Sequence, residues 1–382
     1  MSLSVFSFLM AILWCNIFIV FLSIMRKQTG FIAHFSVAPL FLFLGVCVFR
    51  LCFVFKLPNT IVIPSSNMFP AMINGLTMAL LSIKGHTLSM LDILLALWIA
   101  GAIFFIWKFL VEAKHLRNLL AMKTALKNKR AHEILEEIQR YSKKNTRVEL
   151  VELVGIPSPM ISGYIHPTIY LPAIPFTDEE LRSILLHEWT HFLHKDSWIK
   201  LFMCFICAIF WWNPFVHILK ANLLHILELR CDAKLMSSFN EEEKLSYLNS
   251  ITKVLKYQVS TRQAFQASME ESTASVLVNR KHLSNVEQRF LLILEKDYAK
   301  KYRPLVLGVY ASMVALFLVS NLFVIQPLYV CDEPDTYTIT SEESYLIDNH
   351  DGTFTLYTQG GYLLTIDENE LGKEPFSLLP IK

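Results

Sequence analysis

A chain of 382 residues that is 53% hydrophobic and 18% charged, with a mean hydropathy of +0.41, is unlike a soluble globular protein and typical of one built into a membrane. A formal net charge of +2 gives no electrostatic case for nucleic-acid binding, so no direct nucleic-acid contact is expected. Seven cysteines, five of them (Cys15, Cys47, Cys52, Cys204 and Cys207) in apolar runs, do not make a disulfide framework.

Four apolar segments are long enough to cross about 30 Å of hydrocarbon as helices: 3–25, 31–55, 93–111 and 305–330. A fifth, 201–219, is interrupted by Asn213 and Pro214, and its status stays open. The first segment lacks a basic start, and no small-residue cleavage site precedes Arg26 and Lys27, so it reads as a retained span. Basic flanks stay in the cytoplasm. Arg26 and Lys27, the eleven basic residues between 108 and 147, and Lys300, Lys301 and Arg303 therefore belong on one side. The expected organisation is three spans in 1–111 with an outer loop at 56–90, a cytoplasmic domain over 112–304, a fourth span at 305–330, and an extracytoplasmic tail over 331–382.

Within the inner region, 112–144 has the pattern of an amphipathic helix. From 148 to 172 the composition turns to β-branched, aromatic, Gly and Pro residues, which predicts a small hairpin or sheet that includes the extended run Thr168, Ile169, Tyr170, Leu171. Thr177 followed by Glu180 is a capping-box pattern, and it predicts a helix from there to about His194. Further helices are expected over 215–236 and from 241 to about 257. In the tail, 345–347, 353–357 and 362–366 are candidate strands of a small meander.

His187-Glu188-Trp189-Thr190-His191 is an HExxH pattern on the capped helix. Two imidazoles four residues apart share one helix face and can bind one Zn2+ ion at about 2.0–2.1 Å, while Glu188 beside them is placed to act as a general base on water. Glu228 and Asp232 are again four apart on a later helix. Glu228 can complete a His, His, Glu site with one position open, and Asp232 can accept the outer N–H of a ligand histidine. A solvated helix acid is the plain reading of Glu228. His217, His225 and Cys231 compete as ligands, whereas His194 reads as a surface residue. The Cys204–Cys207 pair sits in an apolar run without a second pair and reads as packing.

The residues Ser162-Gly163, Pro167-Thr168-Ile169-Tyr170-Leu171-Pro172, Glu180-Leu181, the HExxH run with Asp196, Trp212-Asn213-Pro214 and Glu228-Leu229-Arg230-Cys231-Asp232 occur in an order that resembles the BlaR/MecR-type signal-transducing metallopeptidases. The resemblance covers about 112–330. It implies an α-helical integral membrane protein with an inserted, mainly α (α+β), gluzincin-like zinc protease domain, followed here by a small β-rich C-terminal tail. It also implies zinc ligands His187, His191 and Glu228 with catalytic Glu188, a multi-pass location in a bacterial cell membrane, and cleavage of the protein itself and of a cytoplasmic winged-helix transcriptional repressor. Expected partners are a protein substrate, the lipid bilayer and a second copy of the chain in a homodimer. The tail carries no Ser-x-x-Lys of the β-lactam-sensing members, so the inducing signal is expected to differ. Thr168–Leu171 is the candidate edge strand for an extended substrate, and Arg280-Lys281 a candidate self-cleavage region. A general quality-control protease and an inactive zinc-containing receptor or scaffold are the competing readings.

Overall fold

The computed structural model describes residues 5–53, 61–65, 75–76, 79–83, 86–121, 124–125, 129–141, 146–154, 156–266, 285–294, 303–327, 344–350, 352–358, 361–368, 371, 376 and 379–381. Arg280, Lys281, Lys300 and Lys301 lie outside them. The chain divides into one compact unit of Met1–Ile63 with Leu76–Ile325 and another of Pro64–Gly75 with Gln326–Lys382.

In the first unit, helix α1 (Val5–Lys27) ends on Arg26 and Lys27, cations that suit the negative end of the helix dipole. The apolar run 31–55, expected as one span, is two helices, α2 (Thr29–Phe35) and α3 (Ala38–Cys52), meeting at 104°. Ser36 at the break has φ 69°, and Pro39 in the first turn of α3 cannot supply the amide that a continuous helix would need. Strands β1 (Ile61–Ser65), β2 (Ala79–Ile83) and β3 (His86–Ser89) come next, and helix α4 (Met90–Ala121), 32 residues long, is apolar over most of its length. Among the described residues, α1 and α4 are long and apolar enough to cross a membrane, and the bent pair makes a third if counted as one span.

The expected amphipathic helix over 112–144 is instead the end of α4, a two-residue strand β4 (Thr124–Ala125) and helix α5 (Lys129–Tyr141). Strands β5 (Glu149–Glu152), β6 (Met160–Ser162) and β7 (Thr168–Leu171) join β4 in a sheet of order β4-β5-β7-β6. Strand β7 pairs in parallel with β5 and antiparallel with β6. This corrects the expectation for Thr168, Ile169, Tyr170 and Leu171: they form an interior strand, and the edge beside them is β6. Gly163 permits the tight turn after β6, since its φ is +106° and a Cβ there would lie 2.3 Å from the His166 carbonyl.

Helix α6 (Asp178–Leu193) starts with both halves of the capping box: Thr177 Oγ1 accepts from the Glu180 amide at 3.3 Å, and Glu180 Oε2 accepts from the Thr177 amide at 2.9 Å. One face of α6 (Leu181, Ile184, Leu185 and Trp189) packs with Ala131, Ile134, Leu135 and Ile138 of α5 and with Leu150, Ile169 and Leu171 of the sheet. Lys195, in the left-handed region at φ 58°, reverses the chain into α7 (Asp196–Ile209). The run 201–219 is not one helix. It breaks at Phe210–Asn213, where Asn213 caps the amide of Phe215 at 3.0 Å and Pro214 opens helix α8 (Pro214–Met236).

Helix α7 rises along α4. Trp98 Nε1 donates to the Ile209 carbonyl at 2.6 Å, Trp211 Nε1 donates to the Trp98 carbonyl at 3.2 Å, and Gly101 leaves the room that the Trp211 indole fills. Helix α8 returns along α1, with Asn213 Nδ2 donating to Asn16 Oδ1 at 2.9 Å and Asn222 Nδ2 donating to Ser23 Oγ at 2.7 Å. Helix α9 (Glu241–Gln266), the helical segment 285–294 and helix α10 (Arg303–Leu322) follow. Helix α10 ends at Leu322, where strand β8 (Phe323–Pro327) begins; hydropathy alone does not distinguish the two in the apolar run 305–330.

In the second unit, strands β9 (Ser344–Asp348), β10 (Thr353–Thr358) and β11 (Gly361–Asp367) form an antiparallel meander around Leu346, Leu356, Ile366 and Leu379.

Leu185 is fully buried and Thr177 caps an exposed helix start, so their losses should rank. Leu185→Ala is expected to cost about 2–5 kcal/mol and Thr177→Ala about 1 kcal/mol. Thermal or denaturant unfolding of the detergent-solubilised protein reads both, and the reverse order would contradict this account of how α6 is held.

Candidate metal centre

The i, i+4 spacing on α6 brings His187 and His191 together with their Nε2 atoms 3.1 Å apart and their rings edge to face, 4.7 Å between centroids. Both are buried among the packed faces of the inner helices. Helix α8 crosses α6 so that Glu228 closes the cluster: its Oε2 lies 3.4 Å from His187 Nε2 and its Oε1 3.5 Å from His191 Nε2. Three donors on a tetrahedral ion at about 2.0–2.1 Å stand roughly 3.3 Å from one another. The observed 3.1, 3.4 and 3.5 Å fit a single cation of that size. Glu188 is buried on the same helix, and its negative charge acts on His191.

Each imidazole is held from behind. His191 Nδ1 contacts Asp196 Oδ2 at 2.6 Å, and Asp196 Oδ1 accepts from Arg230 Nη2. The left-handed Lys195 turn places Asp196 there, five residues after the histidine it supports. His187 Nδ1 contacts the Tyr247 hydroxyl at 2.8 Å, and that hydroxyl donates to Asp232 Oδ1 at 2.6 Å. Asp232 was expected to accept from a ligand histidine directly. It stands 3.5 Å from His187 Nδ1 and acts through Tyr247 instead. Burial, together with the Asp232 charge, pushes the Tyr247 phenol well above its ordinary pKa. It therefore stays a phenol that gives its proton to Asp232 and takes one from His187 Nδ1. Each Nδ1 then carries its hydrogen outward and each Nε2 offers a lone pair inward.

The field at the cluster favours positive charge. For Glu228, burial alone would raise the pKa, but the His187 bond and the Arg289 and His191 charges hold the carboxyl well below the usual range. For His191, burial disfavours the charged form, yet the Asp196 bond and the Glu228 and Glu188 carboxylates outweigh it and raise the pKa. Arg289 completes the outer layer by forking onto Asp232, with Nε to Oδ2 at 2.6 Å and Nη2 to Oδ1 at 2.9 Å.

The competing ligands go elsewhere. His217 Nε2 meets the Trp211 carbonyl, and His225 Nε2 meets Gln288 Oε1 at 2.8 Å. Cys231 Sγ sits on the outer side of His191, 3.3 Å from Nδ1, grouped with Asp196 rather than with the Nε2 donors. His194 lies near Cys231 at 4.0 Å and outside the trio. Tyr247 and Arg289 were not singled out from the sequence, and Asp196 and Arg230 were read there only as parts of motifs. No periodic signal marks Tyr247 or Arg289. Their partners lie 15 and 57 residues away along the chain.

The chain matches the BlaR1 peptidase M56 family over residues 5–283. It is 26% identical over 231 residues to the regulatory protein BlaR1 of Bacillus licheniformis, covering 60% of this chain and 38% of that one. It is 22% identical over 307 residues to the methicillin resistance mecR1 protein of Staphylococcus aureus, covering 74% of this chain and 48% of that one. A 28% match over 159 residues to the Staphylococcus aureus regulatory protein BlaR1 covers 41% and 27%. The chain thus spans less than half the length of the curated relatives it matches.

Tyr247→Phe strands the His187 Nδ1–H and removes one of the donors to Asp232. Zn2+ affinity, read by competition with a chromophoric chelator, is expected to fall by about 10- to 100-fold. Wild-type affinity in this variant would show that the relay through the hydroxyl does not support the ligand.

Proposed function

The chain belongs to the BlaR1 peptidase M56 family, and on that premise we propose that it is a membrane-embedded zinc metalloendopeptidase acting in transmembrane signalling, with its centre formed by His187, His191, Glu228 and Glu188. The observation that carries the reading is the convergence of two imidazole Nε2 atoms and one ionised carboxylate within 3.5 Å of one another, beside a buried glutamate. His187, His191 and Glu228 would hold a zinc ion, which would supply positive charge to polarise a peptide carbonyl and to acidify water.

The chain's own residues do the rest. Asp196 and the Tyr247–Asp232 pair keep the two Nε2 atoms aimed inward. The Glu188 carboxylate takes a proton from the attacking water and hands it to the leaving amine as the peptide bond breaks. An extended substrate has an edge to add to in β6, Met160–Ser162, which packs against α6 at the outer side of β7. The relatives are named as regulatory and resistance proteins, which supports regulated cleavage over general turnover. On this reading the protease domain faces the cytoplasm, which the basic flanks of the apolar runs support, and the substrates are the chain itself and a winged-helix transcriptional repressor.

Glu188→Gln is expected to keep one zinc per chain while cleavage falls by at least about 10²-fold, the usual scale of a lost general base. Metal content of the purified variant and a comparison of cytoplasmic proteins in cells carrying either form read both outcomes, and the comparison names the substrate. Undiminished cleavage would remove Glu188 from the mechanism.

A further inference from the structure

Arg289 stands 57 residues beyond Asp232, on the helical segment 285–294, and is largely buried at 16% side-chain exposure. Besides its fork on Asp232, Nη1 lies 3.2 Å from Glu228 Oε2 and Nη2 donates to the Tyr247 hydroxyl at 3.3 Å. One planar cation thus contacts the carboxylate of the metal trio and both members of the relay behind His187. A structural ion pair with Asp232 alone would not need the contact to Glu228.

The neighbouring residues of the segment face α1. Gln288 Nε2 donates to the Arg26 carbonyl at 2.8 Å, and its Oε1 meets His225 Nε2, one turn of α8 before Glu228. Asn285 Oδ1 accepts from Arg26 Nη1 at 3.0 Å. Leu292 packs into the core shared by α1, α3 and α8, and Ile293 packs with Leu235, Tyr247 and Leu248. The segment is therefore wedged between the basic end of α1 and the metal trio.

We propose that Arg289 is a positioning residue of the metal centre, and that the segment 285–294 passes the position of the Arg26 end of α1 to Glu228 and His187. This rests on the zinc-peptidase reading. The guanidinium is rigid and its fork tolerates little misalignment, so a shift of the segment against α8 turns directly into a change in the orientation of the Glu228 carboxylate. Gln288, bound to both α1 and α8, sets where the segment sits.

The test uses the full chain in detergent, stripped of metal and reloaded with Co2+, whose visible absorption reports ligand geometry. Arg289→Met is expected to shift the Co2+ bands and to weaken Zn2+ binding by about 10- to 100-fold. Arg289→Lys, which keeps a point charge but loses the fork, should fall between Met and wild type. Gln288→Leu should move the bands in the same direction by a smaller amount with Arg289 intact. A folded Arg289→Met protein with wild-type bands and affinity overturns the proposal. If that variant does not fold, wild-type bands in Arg289→Lys overturn it. Unchanged bands in Gln288→Leu overturn the coupling to α1. If the wild-type chain takes up neither ion at one per chain, the zinc-peptidase reading itself fails, an outcome distinct from the others.

Discussion

Two imidazole Nε2 atoms stand 3.1 Å apart in a buried setting with the Glu228 carboxylate across from them, a spacing that fits one small cation. The inner half of the molecule is arranged around that constraint. Helix α6 supplies the pair by its own periodicity, and α8 must cross it at the one place where Glu228 can reach both rings. The outward N–H of each ring must then find an acceptor, or a buried donor is left unsatisfied at a cost of about 1–3 kcal/mol. Asp196 meets the first demand from the chain reversal at Lys195, and Tyr247 meets the second from α9. Their own carboxylate partners need cations, which brings in Arg230 and Arg289. Each layer answers an unpaired group in the layer before.

The apolar helices serve this arrangement as a scaffold. Helices α1, α3, α7 and α8 share one core that includes Phe18, Phe43, Met203 and Leu219, and Glu228 lies on α8 between the core residues Leu227 and Leu229. On the other side of α6, Trp189 and Leu185 are fully buried against α5 and the sheet. Helix α6 is thus held by the α5-and-sheet cluster, and through Leu186 it also meets the cluster of Leu235, Tyr247, Leu248 and Ile293.

What was legible in the sequence was what depends on neighbours along the chain. The start of α6 could be read from Thr177 and Glu180 because a capping box spans only four residues, and the shared face of His187 and His191 follows from helical spacing. Glu228 stood out through its order in a set of motifs. Groups that act across space were silent: nothing local to Tyr247 or Arg289 says that their polar ends meet Asp232. The interior position of Thr168–Leu171 was hidden for the same reason, since a β-branched run does not report how many strands flank it. Apolar runs misled where hydropathy was used as a proxy for helix, at the 104° bend before Ala38 and at the strand that follows Leu322.

The amide pair of Asn213 and Asn16 has a consequence for height. In an apolar surrounding a polar side chain has few places to go, so this bond pins the turn between α7 and α8 to one level along α1. From Asn213 to Glu228 is an unbroken helix of about 22 Å at 1.5 Å per residue. Helix α8 therefore works as a ruler with its zero mark inside the apolar core: the depth at which Glu228 sits is a length counted out in residues. An inserted or deleted residue in α8 would move Glu228 along the axis by a step of 1.5 Å and turn it about 100° around the helix, away from both histidines.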